Sequence, residues 1–420
     1  MKRSRLFDDL TSASTIFRGT WLILWLTGII LMGCAIDEKP TPATENRTIV
    51  NNPALSSRES VAPEDCVNTA WNDSDTALPA FSLHEIELDG FTRKKSGYYS
   101  SKQAFIVPED TLSFQVMAFE DPPSTDPDGI QICSLINPEG DELLPGKCSL
   151  WFFGMGRQPV LPDTLTKAGV WTFEVISGKS SGQVFLGLRN NSMPVTRTIV
   201  IQPYLTGTSF TTAQIQQAMD RVVAIYANVG IQLVYEPVAQ ITDSAFETIT
   251  ADFNQDTTVS MVCQSRLSRA NLFFVEDLIG GSSSRGSLLG ISSGIPGPHG
   301  IKSRYSGVLI GLNAHVRGGL STGTLDIKLL GETAAHEMGH WLGLSHTSER
   351  NGDLFDDLDD TPQCPISLAA TPSRGVTVDD CRDLDGLNLM FWAAPSNRDL
   401  EQTWLTSQQS QVVVQTPIIQ

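Results

Sequence analysis

Positive charge is in short supply along these 420 residues: 29 lysines and arginines face 47 aspartates and glutamates, a net charge of −18. With no basic stripe or Lys/Arg cluster, nucleic acid is not an expected partner. Long apolar runs are also missing. The most extended, Trp21 to Met32, holds about twelve residues against the roughly 20 that a membrane-crossing helix needs. Histidine is scarce, with six in all, and there are seven cysteines. A chain with 40% hydrophobic and 18% charged residues is globular, and at this length two domains are expected rather than one core.

The short apolar run follows Lys2, Arg3, Arg5 and Arg18 and closes on "LMGC". That is the layout of an export signal over residues 1–33. A small residue followed by Cys34 resembles a bacterial lipobox, which makes Cys34 the candidate lipidation site and a lipid anchor the expected link to a membrane. Ala35, rather than Asp, points to the outer membrane in a Gram-negative cell. Ordinary secretion with an incidental cysteine is the alternative, and both readings place the mature protein outside the cytoplasm. Residues 34–65 are polar and rich in Pro, Ser, Thr and Asn, the composition of a tether. Six cysteines then remain, an even number suited to disulfides in an oxidising compartment. Cys133 and Cys148 flank "NPEGD" as two strands of a hairpin would, and Cys364 and Cys381 bracket a later loop. Cys66 and Cys263 are left over, as a pair or as free thiols.

From residue 66 to 195 the pattern is β throughout. "TLSFQVMAFE" places Leu112, Phe114 and Val116 on one face, and "GVWTFEV" alternates Trp171, Phe173 and Val175 with polar neighbours. Turn signals separate these runs at short spacing, so an all-β antiparallel sandwich is expected. It carries no catalytic constellation and reads equally as accessory module, spacer or removable pro-region. The texture changes at residue 196. "TRTIVIQPYL", "IQLVYEPV", "ANLFFVEDL" and "GVLIGLN" read as strands. Between the first two, Ile215, Ala218, Met219, Val222, Val223 and Tyr226 recur at helical spacing. Residues 280–307 read as a Gly/Ser-rich loop, and a further helix is expected over 325–342. Residues 196–420 therefore form a second, α/β or α+β domain.

Half of the histidines fall within "HEMGHWLGLSH", residues 336–346. On a helix His336 and His340 stand one turn apart on one face, able to meet at one metal. Glu337 lies about 100° round the helix, beside the metal, where it can act as a base on water. A continuing helix would carry His346 away, so the chain must turn, and Gly343 is the residue that can take the left-handed backbone ending a helix. Three imidazoles with an open position suit a catalytic Zn²⁺.

The run matches the H-E-x-x-H-x-x-G-x-x-H signature and so resembles the metzincin metallopeptidases. That resemblance implies a methionine turn beneath the metal, for which Met390 in "NLMFW", 44 residues beyond His346, is the candidate. "DLFDDLDDTPQC" with Cys381 and "NLM" beyond it is most similar to the pappalysin (cytophagalysin-like) branch. The branch usually places tyrosine two residues after the methionine, where this chain has Trp392. The resemblance implies a zinc endopeptidase acting on protein or peptide substrates, with His336, His340 and His346 as ligands and Glu337 as general base. It is specific over residues 331–392.

Five aspartates crowd residues 353–360. Asp356, Asp357, Asp359 and Asp360 are candidate Ca²⁺ ligands, against the alternative of a solvated acidic loop. The competing function class is a surface binding or adhesive lipoprotein with a degenerate peptidase domain, which has no need of Glu337 beside three histidines. No feature bears on the oligomeric state.

Overall fold

Alternation of apolar and polar residues builds the first part of the chain as strands. The computed structural model describes residues 81–88, 90–119, 130–143, 166–190, 197–280, 288–318 and 323–419. Cys34, Cys66 and Cys148, and with them the signal and tether, lie outside the described residues. Seven antiparallel strands come first: β1 (Phe81–Ile86), β2 (Thr92–Arg93), β3 (Tyr99–Val107), β4 (Thr111–Phe119), β5 (Ile130–Ile136), β6 (Gly169–Ser177) and β7 (Gln183–Asn190). They form two sheets, ordered β1-β7-β4 and β2-β3-β6-β5. Phe105, Phe114, Val116, Trp171, Phe173, Val175, Leu186 and Leu188 fill the space between them. Phe114 meets Trp171 edge-on, with ring centroids 4.8 Å apart. Leu112 was expected beside Phe114 but is 37% exposed. The register slips between Thr111 and Ser113, and this bulge turns Leu112 out of the face that its spacing suggested.

The four-stranded sheet follows the usual one-sided burial, as β6 alternates buried with half-buried residues. β4 and β7 do not. They are buried on both faces almost from end to end, because the outer face of their sheet is covered by the second part of the chain. Met117, Phe119 and Phe185 on that face pack with Ile301. Removing such side chains from water is worth roughly 1.5–3 kcal/mol each.

The second part is built on a mixed sheet. β8 (Thr198–Thr206) leads through α1 (Thr212–Ala227) to β9 (Gln232–Tyr235) and β10 (Ala239–Ile241). β11 (Thr248–Thr250) and α2 (Asp256–Val262) then precede β12 (Ala270–Val275), β13 (Asp277–Ile279), β14 (Gly290–Ser292) and β15 (Val308–Gly311). The hairpin β16 (Val316–Arg317) and β17 (Thr324–Leu325) introduces α3 (Ile327–Trp341), and α4 (Ser407–Val414) comes near the C-terminus. The sheet order is β10-β8-β12-β15-β14, with β9 also on β8. β8, β9, β10, β12 and β15 run parallel, while β14 is antiparallel to β15 and forms the edge.

α1 starts at a Thr211–Gln214 capping box and buries Ile215, Ala218, Met219, Val222, Ile225 and Tyr226. Val223 is only partly buried, and Ile225 takes the place expected for it. α1 and α3 cover one face of the sheet with Ile199, Ile201, Leu272 and Ile310. Phe253, Met261 and Val262 cover the other, around Tyr204 stacked on Phe273. No helix among the described residues is long and apolar enough to cross a membrane.

Candidate metal centre

α3 carries the histidine cluster and ends as the sequence requires. Gly343 has φ +110°, its N–H donates to His340 O, and Leu344 N–H donates to Gly339 O. These two bonds make a Schellman cap, which satisfies the last carbonyls of the helix and reverses the chain. His346 is thereby swung back to within 4.6 Å of His340 and 5.3 Å of His336, ring centre to ring centre, and the two helical rings are 4.6 Å apart. One ring nitrogen from each of the three lies within 4.8 Å of the others.

The other ring nitrogens decide what these can bind. His336 Nδ1 is 2.6 Å from Leu389 O and His340 Nδ1 is 2.7 Å from Leu344 O. Carbonyls only accept, so both Nδ1 atoms carry the proton and both Nε2 atoms present lone pairs. His346 Nδ1 is 2.9 Å from the Glu349 carboxylate, which orients it the same way. His340 Nε2 and His346 Nε2 then face each other at 3.1 Å, and in the tautomers that these Nδ1 contacts select neither carries a proton to share. A cation fits between such atoms and a hydrogen bond does not. Burial holds His336 down to about 3 and His340 well below the usual histidine range, so both are neutral at physiological pH. The donor set suits Zn²⁺, with the outer partners that fix tautomer and ring orientation.

Glu337 is buried at the edge strand. Burial pushes its carboxyl up to about 8, opposed by the Ser292 backbone N–H that donates to it. A cation bound at the histidines would pull it back down. Gly290 leaves the room it needs, since a Cβ there would stand 2.6 Å from Glu337 Cγ. Met390 is fully buried under α3, where a Cβ on Gly339 would come within 2.5 Å of its sulfur. Its turn is held by Asn388 Oδ1, which accepts from Met390 N–H, and by Met390 O, which accepts from Thr347 N–H. The same turn supplies Leu389 O to His336. Trp392 donates its ring N–H to Val376 O and so has no free donor for the metal site.

The four histidine and glutamate positions and Met390 are thus brought together, while the acidic run is not part of this site. Asp356, Asp357, Asp359 and Asp360 do not assemble a metal-binding group among the described residues. Asp356 turns inward to accept from Thr361 Oγ1 and Leu358 N–H. Asp360 accepts from Gln408 N–H in the first turn of α4, and Gln408 accepts from the amides of Asp359 and Asp360. Acidic charge at a helix N-terminus is favourable, and this accounts for part of the density without an ion. Cys364 and Cys381 form the expected disulfide. Cys133 and Cys263 are each disulfide-bonded too, though not to one another. Cys364 and Cys381 also come close to Asp385, but their sulfurs are committed to each other.

Sequence reasoning missed Glu349, Ser292 and Gly290. An acid three residues past a ligand histidine was the available signal for Glu349. Ser292 acts through its backbone, which no side-chain pattern reports.

Three convergent imidazoles and a buried carboxylate beside a sheet edge define a zinc-metallopeptidase type of site. Residues 212–347, from the start of α1 to just past the third histidine, match a family described as Metallo-peptidase family M12B Reprolysin-like. Among solved structures the chain is similar to archaemetzincin from Methanopyrus kandleri, at 13% identity over 38% of this chain and 81% of that one. The TM-score is 0.28, a likeness too slight to carry an argument. No curated protein matches the sequence.

Proposed function

We propose that the protein is a zinc-dependent endopeptidase that acts outside the cytoplasm. The observation that carries the reading is the convergence of three histidine ring nitrogens with a buried glutamate next in sequence to the first of them. His336, His340 and His346 would hold the ion. Bound there, zinc supplies Lewis acidity that polarises a peptide carbonyl and makes water easier to deprotonate. Glu337 takes the proton from the attacking water on its carboxylate and returns it to the leaving amine. Burial raises its affinity for a proton above that of an ordinary carboxylate, which favours its taking the proton from water. β14 pairs with β15 on one side and is the end of its sheet. An extended peptide can add to it as a further strand and lie across Glu337.

Within this class we assign the chain to the pappalysin-like branch, on the "DDTPQC" run and the Cys364–Cys381 disulfide. Residues 66–195 serve as an accessory domain and 196–420 as the peptidase. The disulfides favour an oxidising compartment, in keeping with export and a lipid at Cys34. Loss of fatty-acid labelling in Cys34→Ala tests the anchor, and unchanged labelling would refute it.

Glu337→Gln tests the chemistry. It should keep about one zinc per chain while peptide cleavage falls by at least roughly 10²–10⁴-fold, the usual worth of general acid–base catalysis. His340→Ala should lose zinc and activity together. Near wild-type cleavage by Glu337→Gln would overturn the mechanism. Zinc bound by wild type and Glu337→Gln with cleavage by neither would favour a binding protein.

A further inference from the structure

The sandwich reaches the candidate active site through one side chain. Gln115, on the outer face of β4, is fully buried. Its amide nitrogen donates to Gly297 O at 2.7 Å, and its amide oxygen accepts from His299 N–H at 3.2 Å. One donor and one acceptor meeting residues two apart is what a neighbouring strand would provide. Here a side chain stands in for that strand, and both partners belong to the loop that leaves β14.

The same loop is pinned from behind by the end of the metal-bearing helix. Gly297 N–H donates to Trp341 O, and the His299 ring lies edge-on to Trp341 at 4.5 Å. His299 Nε2 reaches Trp341 O, and its Nδ1 reaches Thr416 Oγ1. A Cβ on Gly297 would stand 1.9 Å from Trp341 Cδ1, so the loop passes as close to the helix as a backbone can. Five residues upstream is Ser292, whose N–H holds Glu337. The surrounding contact is apolar: Met117, Phe119 and Phe185 pack with Ile301. Phe81 occupies the space that a side chain on Gly187 or Gly300 would need.

We infer that the sandwich is a permanent brace for the substrate-binding edge, with Gln115 as the positioning residue, and not a pro-region whose removal activates the enzyme. This rests on the peptidase reading given above. A detachable pro-region leaves behind a surface that water can solvate. Removal of this sandwich would strip Gly297 O and His299 N–H of their partners and uncover a contiguous apolar patch. β14 would then lose the support that fixes it beside Glu337. Extended peptides, which need that edge in register, would suffer most.

Gln115→Leu keeps the bulk and removes both hydrogen bonds. Zinc content should stay at that of wild type. Hydrogen exchange across residues 290–299 should accelerate about tenfold or more, and KM for an extended peptide should rise by a similar factor while kcat changes much less. Unchanged exchange with unchanged KM would overturn the brace. A second measurement does not depend on the variant folding: a protease site inserted between Asn190 and Arg197 is cut in the folded protein. Because Cys263 is disulfide-bonded, the cut is made in Cys263→Ala so that no covalent link joins the two pieces, which should co-elute without denaturant and retain zinc and activity. Spontaneous separation with a rise in activity would establish a pro-region and overturn the proposal. If wild type cleaves no peptide, the peptidase reading fails, and exchange with co-elution still decides whether the sandwich is a brace.

Discussion

Asp356 is a carboxylate in the wrong place for a solvated acidic loop, and replacing it with asparagine has a calculable effect. The residue is 9% exposed. One oxygen accepts from Thr361 and Leu358, and the other is buried without a partner among the described residues. Burial pushes the carboxyl from its ordinary 3.8 up to about 7, with Asp357 and Asp360 adding repulsion and the two hydrogen bonds opposing it. In the unfolded chain the group ionises near its ordinary value. Between about pH 4 and pH 7 the folded state therefore binds a proton that the unfolded state has released, and stability falls as pH rises through that window. Above about pH 7 the penalty is complete. At 1.36 kcal/mol per pH unit it amounts to about 4 kcal/mol as an upper bound.

Asp356→Asn removes this penalty but leaves an amide N–H group where the unpartnered oxygen was, at a cost of about 1–3 kcal/mol. The net expectation is a gain of about 1–3 kcal/mol at pH 8, shrinking to nothing near pH 5 and reversing below pH 4. Urea midpoints of both proteins at pH 4, 5.5, 7 and 8.5, with zinc held constant, read this directly, because other titrations cancel in the difference. A variant less stable than wild type at pH 8 would refute the reasoning. A Ca²⁺-dependent stabilisation of wild type that the variant lacks would refute it in another way, by showing that a cation neutralises Asp356.

Gly339→Ala should destabilise, although alanine is the better helix former by about 1 kcal/mol. Its Cβ would stand 2.5 Å from Met390 Sδ, overpacking of this kind costs about 1–3 kcal/mol, and the shifted turn should weaken zinc binding in a chelator competition. Arg189 is 4% exposed, is pulled down to about 10 by burial, and has no ion pair among the described residues. Arg189→Met should be neutral or stabilising by about 1–2 kcal/mol in a denaturant melt, and a loss above about 3 kcal/mol would mean that a bound anion normally neutralises it. Stripping zinc should lower the melting temperature, by mass action worth about 4 kcal/mol when free zinc stands 1,000-fold above its dissociation constant. The shift should persist in Glu337→Gln and vanish in His340→Ala.

What was legible in the sequence was what local spacing dictates. His336 and His340 need only the helical repeat, and Gly343 is legible because one backbone conformation serves both the cap and the return of His346. α1 and Trp171, Phe173 and Val175 follow from single periodicities. The acidic run misled because charge density looks alike whether it awaits an ion or another part of the chain. Only the fold shows Asp360 at the start of α4, 48 residues on. β14 was hidden inside a Gly/Ser-rich stretch because three residues are too few to display alternation. Its glycine and serine are there for Glu337, one giving space and the other an amide.

Docking of the sandwich had a trace in the sequence that one-sided alternation obscures. "SFQVMAF" and "VFLGL" carry bulky apolar residues at both parities: Phe114 and Val116 with Met117 and Phe119, and Val184 and Leu186 with Phe185. Strands solvated on one face do not need the second set, whereas strands covered on both faces do. A buried glutamine in such a run, flanked on its own face by Ser113 and Met117, finds its partners across the covering layer. That requirement leads from Gln115 to Gly297 and His299, and from them to the end of the helix that carries the histidines. The composition of one strand of the sandwich therefore answers to a loop 182 residues further along the chain.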